Sequence, residues 1–357
     1  MHALDDLGWD PFFDQQVADE ERVQWTPARV VWEGRERYRL STGEAAWRAD
    51  LAGRIRHAAT SRADLPAIGD WVLAALRPAE GTATIHRVLV RRSRFSRGAA
   101  GRSTDEQIVA ANVDTVLLVT SLNRDFNLRR IERYLALTWE SGARPVVVLN
   151  KADLCADPEA WQGQLASASQ GVPVLITSAL RGDGMPALME VIRAGGTTAL
   201  LGSSGVGKST LINALVGGDP QAVMPIRDGD ERGRHSTTSR ELFCLPTGGI
   251  LIDTPGMREL QLWDAEDGLE HAFADVHVLA DSCRFRDCSH DGEPGCAVTA
   301  AVERGELAAE RLAGYRRLQR EDDFIRARHD ESARLERTRK AKQGAKALRL
   351  QNKLRRR

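Results

Sequence analysis

Gly202-Ser203-Ser204-Gly205-Val206-Gly207-Lys208-Ser209 has the spacing G-x-x-x-x-G-K-[ST]. Chemistry on phosphate needs those residue types in that order. Glycines let the backbone wrap the anion closely, and the N–H groups of a following helix, from Lys208 through Thr210, point at it. Lys208 would neutralise the β- and γ-oxygens, and the Ser209 hydroxyl would ligate Mg²⁺. A second cluster lies further on: Cys283-x4-Cys288-x-His290-x5-Cys296 gathers three thiols and an imidazole within 14 residues. Cys₃His is a closed, tetrahedral set suited to one structural Zn²⁺, with no open position for catalysis.

A phosphate loop does not choose the base. Asn150-Lys151-Ala152-Asp153 does, because it carries the N-K-x-D pattern of Ras-like GTPases. There the carboxylate accepts from the guanine ring N–H and amino group, which adenine cannot supply, so a wrong base leaves a buried acceptor unpaired. Asn150 and Lys151 would brace the loop and cover the base. Ser178-Ala179, after Thr177, resembles the companion guanine-contact loop. Asp253-Thr254-Pro255-Gly256 supplies D-x-x-G: Asp253 for Mg²⁺ and the Gly256 N–H for the γ-phosphate. In the Gly233–Thr238 segment, Thr238 is the expected second Mg²⁺ ligand, with Thr237 as fallback. His235 is a candidate for the hydrolytic step, a solvated loop histidine being the alternative.

Strands and helices must place these groups together. Buried-type runs at 113–121, 145–150, 173–178, 197–202 and 249–253 alternate with helical segments, which predicts a parallel sheet covered on both faces. Its strand ends are where such folds bind ligands. Ile131, Tyr134, Leu135, Thr138 and Trp139 form one helical face, with Asn127 as N-cap and Gly142 as terminator. Asp157-Pro158 opens another helix. Thr104-Asp105-Glu106-Gln107 has capping-box spacing and predicts a short helix through Ala110. Upstream, strand-like runs at 28–32, 37–40, 70–76 and 84–90, divided by Gly, Pro and Asp, predict a small all-β barrel. Residues 1–25 read as a polar, loosely attached extension.

Ras-like domains begin with the phosphate loop and end with N-K-x-D. Here the order is reversed in blocks, which defines a circularly permuted GTPase. The residue after Gly256 is Met257, where Ras-like enzymes place a water-orienting Gln. Methionine cannot orient water, so slow intrinsic turnover that needs a partner is expected.

The 357 residues contain 50 Lys+Arg and 50 Asp+Glu. That length suggests two or three domains. No run approaches the roughly 18 apolar residues of a membrane span. Five cysteines are too few for a disulfide scaffold and suit a reducing cytosol. The neutral total conceals an uneven distribution. Residues 337–357 hold ten Lys/Arg and no acid, leaving residues 1–336 with 40 basic and 50 acidic groups, net −10. A second acid-free stretch, 86–104, carries six Arg around Phe95.

The phosphate loop, N-K-A-D, permuted order and zinc spacing together resemble the RsgA (YjeQ) family. So do Pro66-Ala67-Ile68-Gly69-Asp70-Trp71-Val72 and the Arg-Phe-Arg-Asp interior of the cysteine cluster. The resemblance covers about residues 27–319. It implies an all-β OB-fold barrel (26–103), an α/β circularly permuted P-loop GTPase domain (104–275), and a zinc-binding module (276–320) with C-terminal helices. A basic tail (321–357) would follow. It implies GTP hydrolysis stimulated by the small ribosomal subunit late in that subunit's maturation, with release of bound assembly factors. GTP, GDP, the subunit and its rRNA are then the partners of a cytoplasmic monomer without a membrane role. Ser236 departs from the family's Thr in the switch, and the first 25 residues and the tail are less typical.

OB-folds, zinc modules and basic tails are common RNA-binding devices. Arg91, Arg92, Arg94 and Arg97 beside Phe95 are candidates for phosphate contact and base stacking, and Lys340 and Lys342 represent the tail. The alternative for both segments is a solvated surface. The alternative for the whole chain is a nonenzymatic RNA-binding scaffold that holds guanine nucleotide structurally. A signalling GTPase at a membrane would need a lipidation motif or apolar anchor, and neither is present.

Overall fold

A computed structural model describes residues 3–34, 37–98, 106–123, 126–166, 169, 171–194, 196–217, 240–246, 248–253 and 266–327. Thr238, His235, Gly256, Lys340 and Lys342 lie outside the described residues.

Strands β1 (Thr26–Glu33), β2 (Tyr38–Ser41), β3 (Ala46–Leu51), β4 (Trp71–Arg77) and β5 (Thr82–Val88) close a barrel in the order β1-β2-β3-β5-β4-β1. The β3–β5 pair is parallel and the others antiparallel. Alternate residues fill its interior: Ala28 and Val30, Tyr38 and Leu40, Val72 and Ala74, Ala83 and Ile85. The intervening residues of β1 and β4 are buried too, because other parts of the chain cover the barrel's outside there.

Part of that cover is the N-terminal segment, which corrects the expected loose extension. Leu7, Phe13 and Val17 bury against Trp71, Leu73 and Leu89. Asp10 pairs with Arg92, and Glu21 with Arg87. Three apolar anchors in a polar segment were too sparse to read as a core face.

Strands β6 (Arg94–Gly98) and β7 (Glu106–Ala111) form an antiparallel ribbon. The helix expected at 104–110 is therefore β7 over its described part. Ile108, Val109, Ala110 and Ala111 are all buried, and the Ala111 N–H donates to the Ile68 carbonyl at 2.9 Å. A run buried on both faces suits a strand, and its long-range partners outweigh a four-residue capping signal. The ribbon spans the boundary expected at 103/104.

The second sheet layer uses β8 (Thr115–Ser121), β9 (Arg144–Asn150), β10 (Val174–Ile176), β11 (Thr197–Leu201), β12 (Arg240–Cys244) and β13 (Ile250–Asp253). Their order is β10-β9-β8-β11-β13-β12, parallel except for β12, which was not anticipated. Successive residues enter different cores. Val116, Leu118, Val147 and Leu149 join one cluster; Leu117, Val119, Val146 and Val148 join the other. Two registers, Trp32↔Glu241 and Glu33↔Arg240, tie β1 to β12. Arg29, 1% exposed, reinforces that junction by donating to the Leu7, Gly69 and Asn112 carbonyls and to Thr197 Oγ1. Burial lowers its pKa to about 10, which leaves it charged at neutral pH.

Helix Leu128–Glu140 follows β8, and the Asn127 side chain accepts from the Arg130 N–H as predicted. Asp157 likewise caps helix Pro158–Leu165. Beyond β13, helices Glu266–Ala272, Ala274–Ala280, Ala297–Glu303 and 309–327 surround the cysteines. Phe273, Val276, Val298, Leu312 and Tyr315 share one core cluster with Ile131 and Leu135. The C-terminal module thus packs directly on helix 128–140.

Candidate nucleotide and metal sites

Parallel strands end on the same side, so β9, β10, β11 and β13 bring Asn150, Thr177, Gly202 and Asp253 to one edge of the sheet. Gly202 passes so near the Val119 carbonyl that a Cβ would overlap it. Gly207, at φ +98°, is the N-cap of helix Lys208–Val216, and a Cβ there would overlap the Asn150 amide. Both positions therefore require glycine. Ser209 and Thr210 are exposed at the helix start. Lys208 Nζ donates to the Gly202 and Ser203 carbonyls, each at 2.6 Å.

Asn150 is 1% exposed and joins three segments. Its Nδ2 donates to the Val206 carbonyl at 3.0 Å, while Oδ1 accepts from Thr177 Oγ1 at 3.2 Å and the Ala179 N–H at 3.3 Å. Lys151, at φ +63°, reaches across to the Gly205 carbonyl at 2.6 Å. Asp153 Oδ1 accepts from Ser178 Oγ at 2.6 Å, and that hydroxyl in turn accepts from the Arg181 N–H at 3.2 Å. The N-K-x-D turn, the Ser178-Ala179 loop and the phosphate loop thus form one hydrogen-bonded rim. Asp253 stands exposed at the end of β13. A residue not singled out by sequence reasoning also meets the rim: Arg130 Nη1 donates to Ser203 Oγ. No local motif announces it, since its partner is 73 residues away.

At the metal cluster, one donor atom each from Cys283, Cys288, His290 and Cys296 lies within 4.8 Å of the others. The Cys283 and Cys296 sulfurs are 3.9 Å apart, and each is 3.6 Å from His290 Nδ1. Ligands about 2.3 Å (S) and 2.0 Å (N) from a common tetrahedral centre would stand roughly 3.5–3.8 Å apart, so the set fits one metal ion. Cys296 is also the N-cap of helix Ala297–Glu303. Burial opposes ionisation of its thiol, but hydrogen bonds from the Thr299 N–H and hydroxyl lower its pKa overall. Burial holds the His290 imidazole below its usual pKa, favouring the neutral form that coordinates.

The arginine stretch divides. Arg91 is spent inside the protein: its guanidinium meets both Asp70 oxygens at 2.8 and 2.7 Å and donates to the Ala63 and Leu65 carbonyls. Arg92 pairs with Asp10 and Asp114 and lies over the rings of Phe12 and Phe13. Phe95 is 2% exposed, so its ring cannot stack on a base. The internal pairing of Arg91 and the burial of Phe95 correct that part of the expected basic, aromatic surface, whereas Arg92 is paired but remains exposed. Arg94 is exposed and Arg97 half-buried.

A closed five-stranded barrel, a permuted nucleotide-binding sheet and a Cys₃His module define a circularly permuted GTPase with flanking modules. Residues 88–263 match the family model described as RsgA GTPase. The chain is 48% identical to the small ribosomal subunit biogenesis GTPase RsgA of Opitutus terrae, over 97% of each chain. It is 45% identical to the protein of that name from Streptomyces coelicolor, over 94% of this chain and 90% of the other. The crystal structure of YjeQ from Thermotoga maritima superposes with TM-score 0.64 at 28% identity, covering 84% of this chain and 98% of that one. The permuted GTPase YloQ shares the fold, with TM-score 0.60 at 24% identity. The chain belongs to the RsgA GTPase family.

Proposed function

We propose that this GTPase acts in biogenesis of the small ribosomal subunit, hydrolysing GTP to GDP and phosphate with the subunit as stimulating partner. The observation that carries the reading is the rim that joins Asn150, Asp153 and Ser178 to the loop 202–209. It brings a guanine-selective acceptor and a phosphate cradle together at the ends of neighbouring strands. Gly202, Ser203, Ser204, Gly205, Val206 and Gly207 supply the cradle, with the N–H groups of Lys208, Ser209 and Thr210 at the helix start. Lys208 leaves its own loop carbonyls to meet the β- and γ-oxygens. Ser209 and Asp253 are the described residues that would hold Mg²⁺, which would supply charge neutralisation for the transferring phosphoryl group. Asp153 accepts from guanine while Ser178 holds the other end of its carboxylate, with Ala179 beside the base. Lys151 bridges the base pocket and the phosphate loop.

The metal of Cys283, Cys288, His290 and Cys296 is Zn²⁺, whose thiolate-rich tetrahedral preference the spacing suits. Its role is structural, and the nearby exposed Arg284 and Arg286 leave the module's surface for rRNA. No helix among the described residues is long and apolar enough to cross a membrane.

GTP turnover with and without purified small subunits, in the wild type and Lys208→Ala, tests the reading. Subunit stimulation that disappears in Lys208→Ala supports it; turnover indifferent to the subunit overturns it. The base is tested by Asp153→Asn, which exchanges an acceptor for a mixed donor and acceptor. GDP affinity should fall at least tenfold and xanthosine diphosphate, with a carbonyl in place of the guanine amino group, should gain.

A further inference from the structure

Helix 128–140 touches the phosphate loop at one end and the C-terminal module along most of its length. Arg130, in its first turn, donates to the Ser203 hydroxyl. Glu132, 2% exposed, accepts from Arg311 at 3.0 Å. The same arginine bonds Asp275 at 2.9 Å and the Ala272 carbonyl at 2.6 Å, and lies 4.1 Å over the Phe273 ring. Arg133 meets Glu321 of helix 309–327 through two 2.6 Å bonds.

Further along, Gly268 passes so close to the Ala136 carbonyl that a Cβ would overlap it, and its N–H donates to Glu140 at 3.1 Å. His271 stacks on Trp139 with ring centroids 5.7 Å apart. Contacts of this kind recur on every turn of a 13-residue helix about 20 Å long. The buried Glu132–Arg311 pair, the half-buried Arg133–Glu321 pair and the close backbone contact at Gly268 fasten the helix to the module.

We propose that Arg130 is a positioning residue for the phosphate loop, and that helix 128–140 carries displacements of the C-terminal module to it. A partner that shifts the module then shifts the Arg130 guanidinium, and with it Ser203 at the start of the loop. This route is separate from the segment that follows Asp253, and it rests on loop 202–209 being the nucleotide site. It assigns a function to the charge pattern of the helix: Arg130 meets the loop at Ser203, while Glu132 and Arg133 meet the module.

The test is a double-mutant cycle on GDP affinity in the full-length protein, read with a fluorescent guanine nucleotide. Glu321 touches helix 128–140 from the module side. Glu321→Ala should change the GDP dissociation constant about threefold to tenfold, and the change should vanish in an Arg130→Ala background. Arg130→Lys, which can still donate one bond to Ser203, should restore part of the coupling. Glu321→Gln, a milder variant, should act in the same direction if the alanine variant folds poorly. Independent, multiplicative effects of the two substitutions overturn the proposal, as does an unchanged affinity in both Glu321 variants. A wild type that binds no guanine nucleotide overturns the underlying assignment instead, and the wild-type titration reveals that first.

Discussion

Asn150 donates from Nδ2 to the carbonyl of Val206, 56 residues later in the chain, at 3.0 Å. The bond joins the N-K-x-D turn to the loop 202–209. Asn150→Ala would leave the Val206 carbonyl and the Ala179 N–H without their partner. Each buried group left unpaired costs about 1–3 kcal/mol. Denaturant titration should show that loss, and GDP affinity should fall at least about tenfold. Wild-type affinity in Asn150→Ala would show that the two loops hold their places independently.

The module around Cys283, Cys288, His290 and Cys296 is expected to depend on a bound metal ion. Structural Zn²⁺ contributes apparent binding energies of about 10–16 kcal/mol to small modules. Chelation or Cys288→Ser should therefore unfold residues around the cluster. Because Phe273, Tyr315, Ile131 and Leu135 share one core, the effect should extend into helix 128–140. Hydrogen exchange should show lost protection in both segments. Protection confined to normal levels after complete metal removal would make the metal dispensable.

Arg91 and Asp70 form a buried pair, 14% and 0% exposed at their side chains. Breaking such a pair by removing one partner costs about 3–5 kcal/mol, because the other charge remains buried. Arg91→Met should show that loss in chemical unfolding, and the double variant with Asp70→Asn should lose less than the sum. Arg94→Ala, at an exposed position, should stay within about 0.5 kcal/mol of wild type. If Arg94 contacts rRNA, its loss should reduce the salt slope of subunit binding by about one. An identical slope removes it from the interface.

Acid should loosen the barrel at a defined place. The Trp25 ring stacks on His86 with centroids 5.1 Å apart, and the Arg54 guanidinium lies 4.9 Å over Trp25. Burial holds the His86 pKa below its ordinary 6.5, and Arg54 and Arg77 add repulsion. The unfolded chain therefore takes up this proton first. The stability it confers is present above about pH 6.5 and is lost as pH falls through the lower folded value. His86→Phe keeps a ring beside Trp25 and cannot ionise. Its unfolding temperature should fall less between about pH 7.5 and 5 than that of the wild type. Parallel curves would place the acid sensitivity elsewhere.

The residues of the candidate nucleotide and metal sites come together in the fold, and their grouping was legible because each motif answers a local demand. Gly202 and Gly207 admit backbone where a Cβ would overlap a neighbour, and Asp153 presents an acceptor at a strand end. Cys283, Cys288, His290 and Cys296 lie close enough in sequence to surround one ion. Alternating strands and helices similarly announced the sheet, whose side-chain period is a property of the strand itself.

Tertiary structure decided what depends on distant partners. It turned the capping-box segment into β7 by pairing it with β6 and Ile68, and it fastened the N-terminal segment to Trp71. It withdrew Arg91 from solvent by supplying Asp70, and paired the exposed Arg92 with Asp10 and Asp114. It also placed Arg130 on Ser203. A charged side chain reads the same in sequence whether it meets water, RNA or a carboxylate tens of residues away. Only the folded chain determines which of these desolvates it.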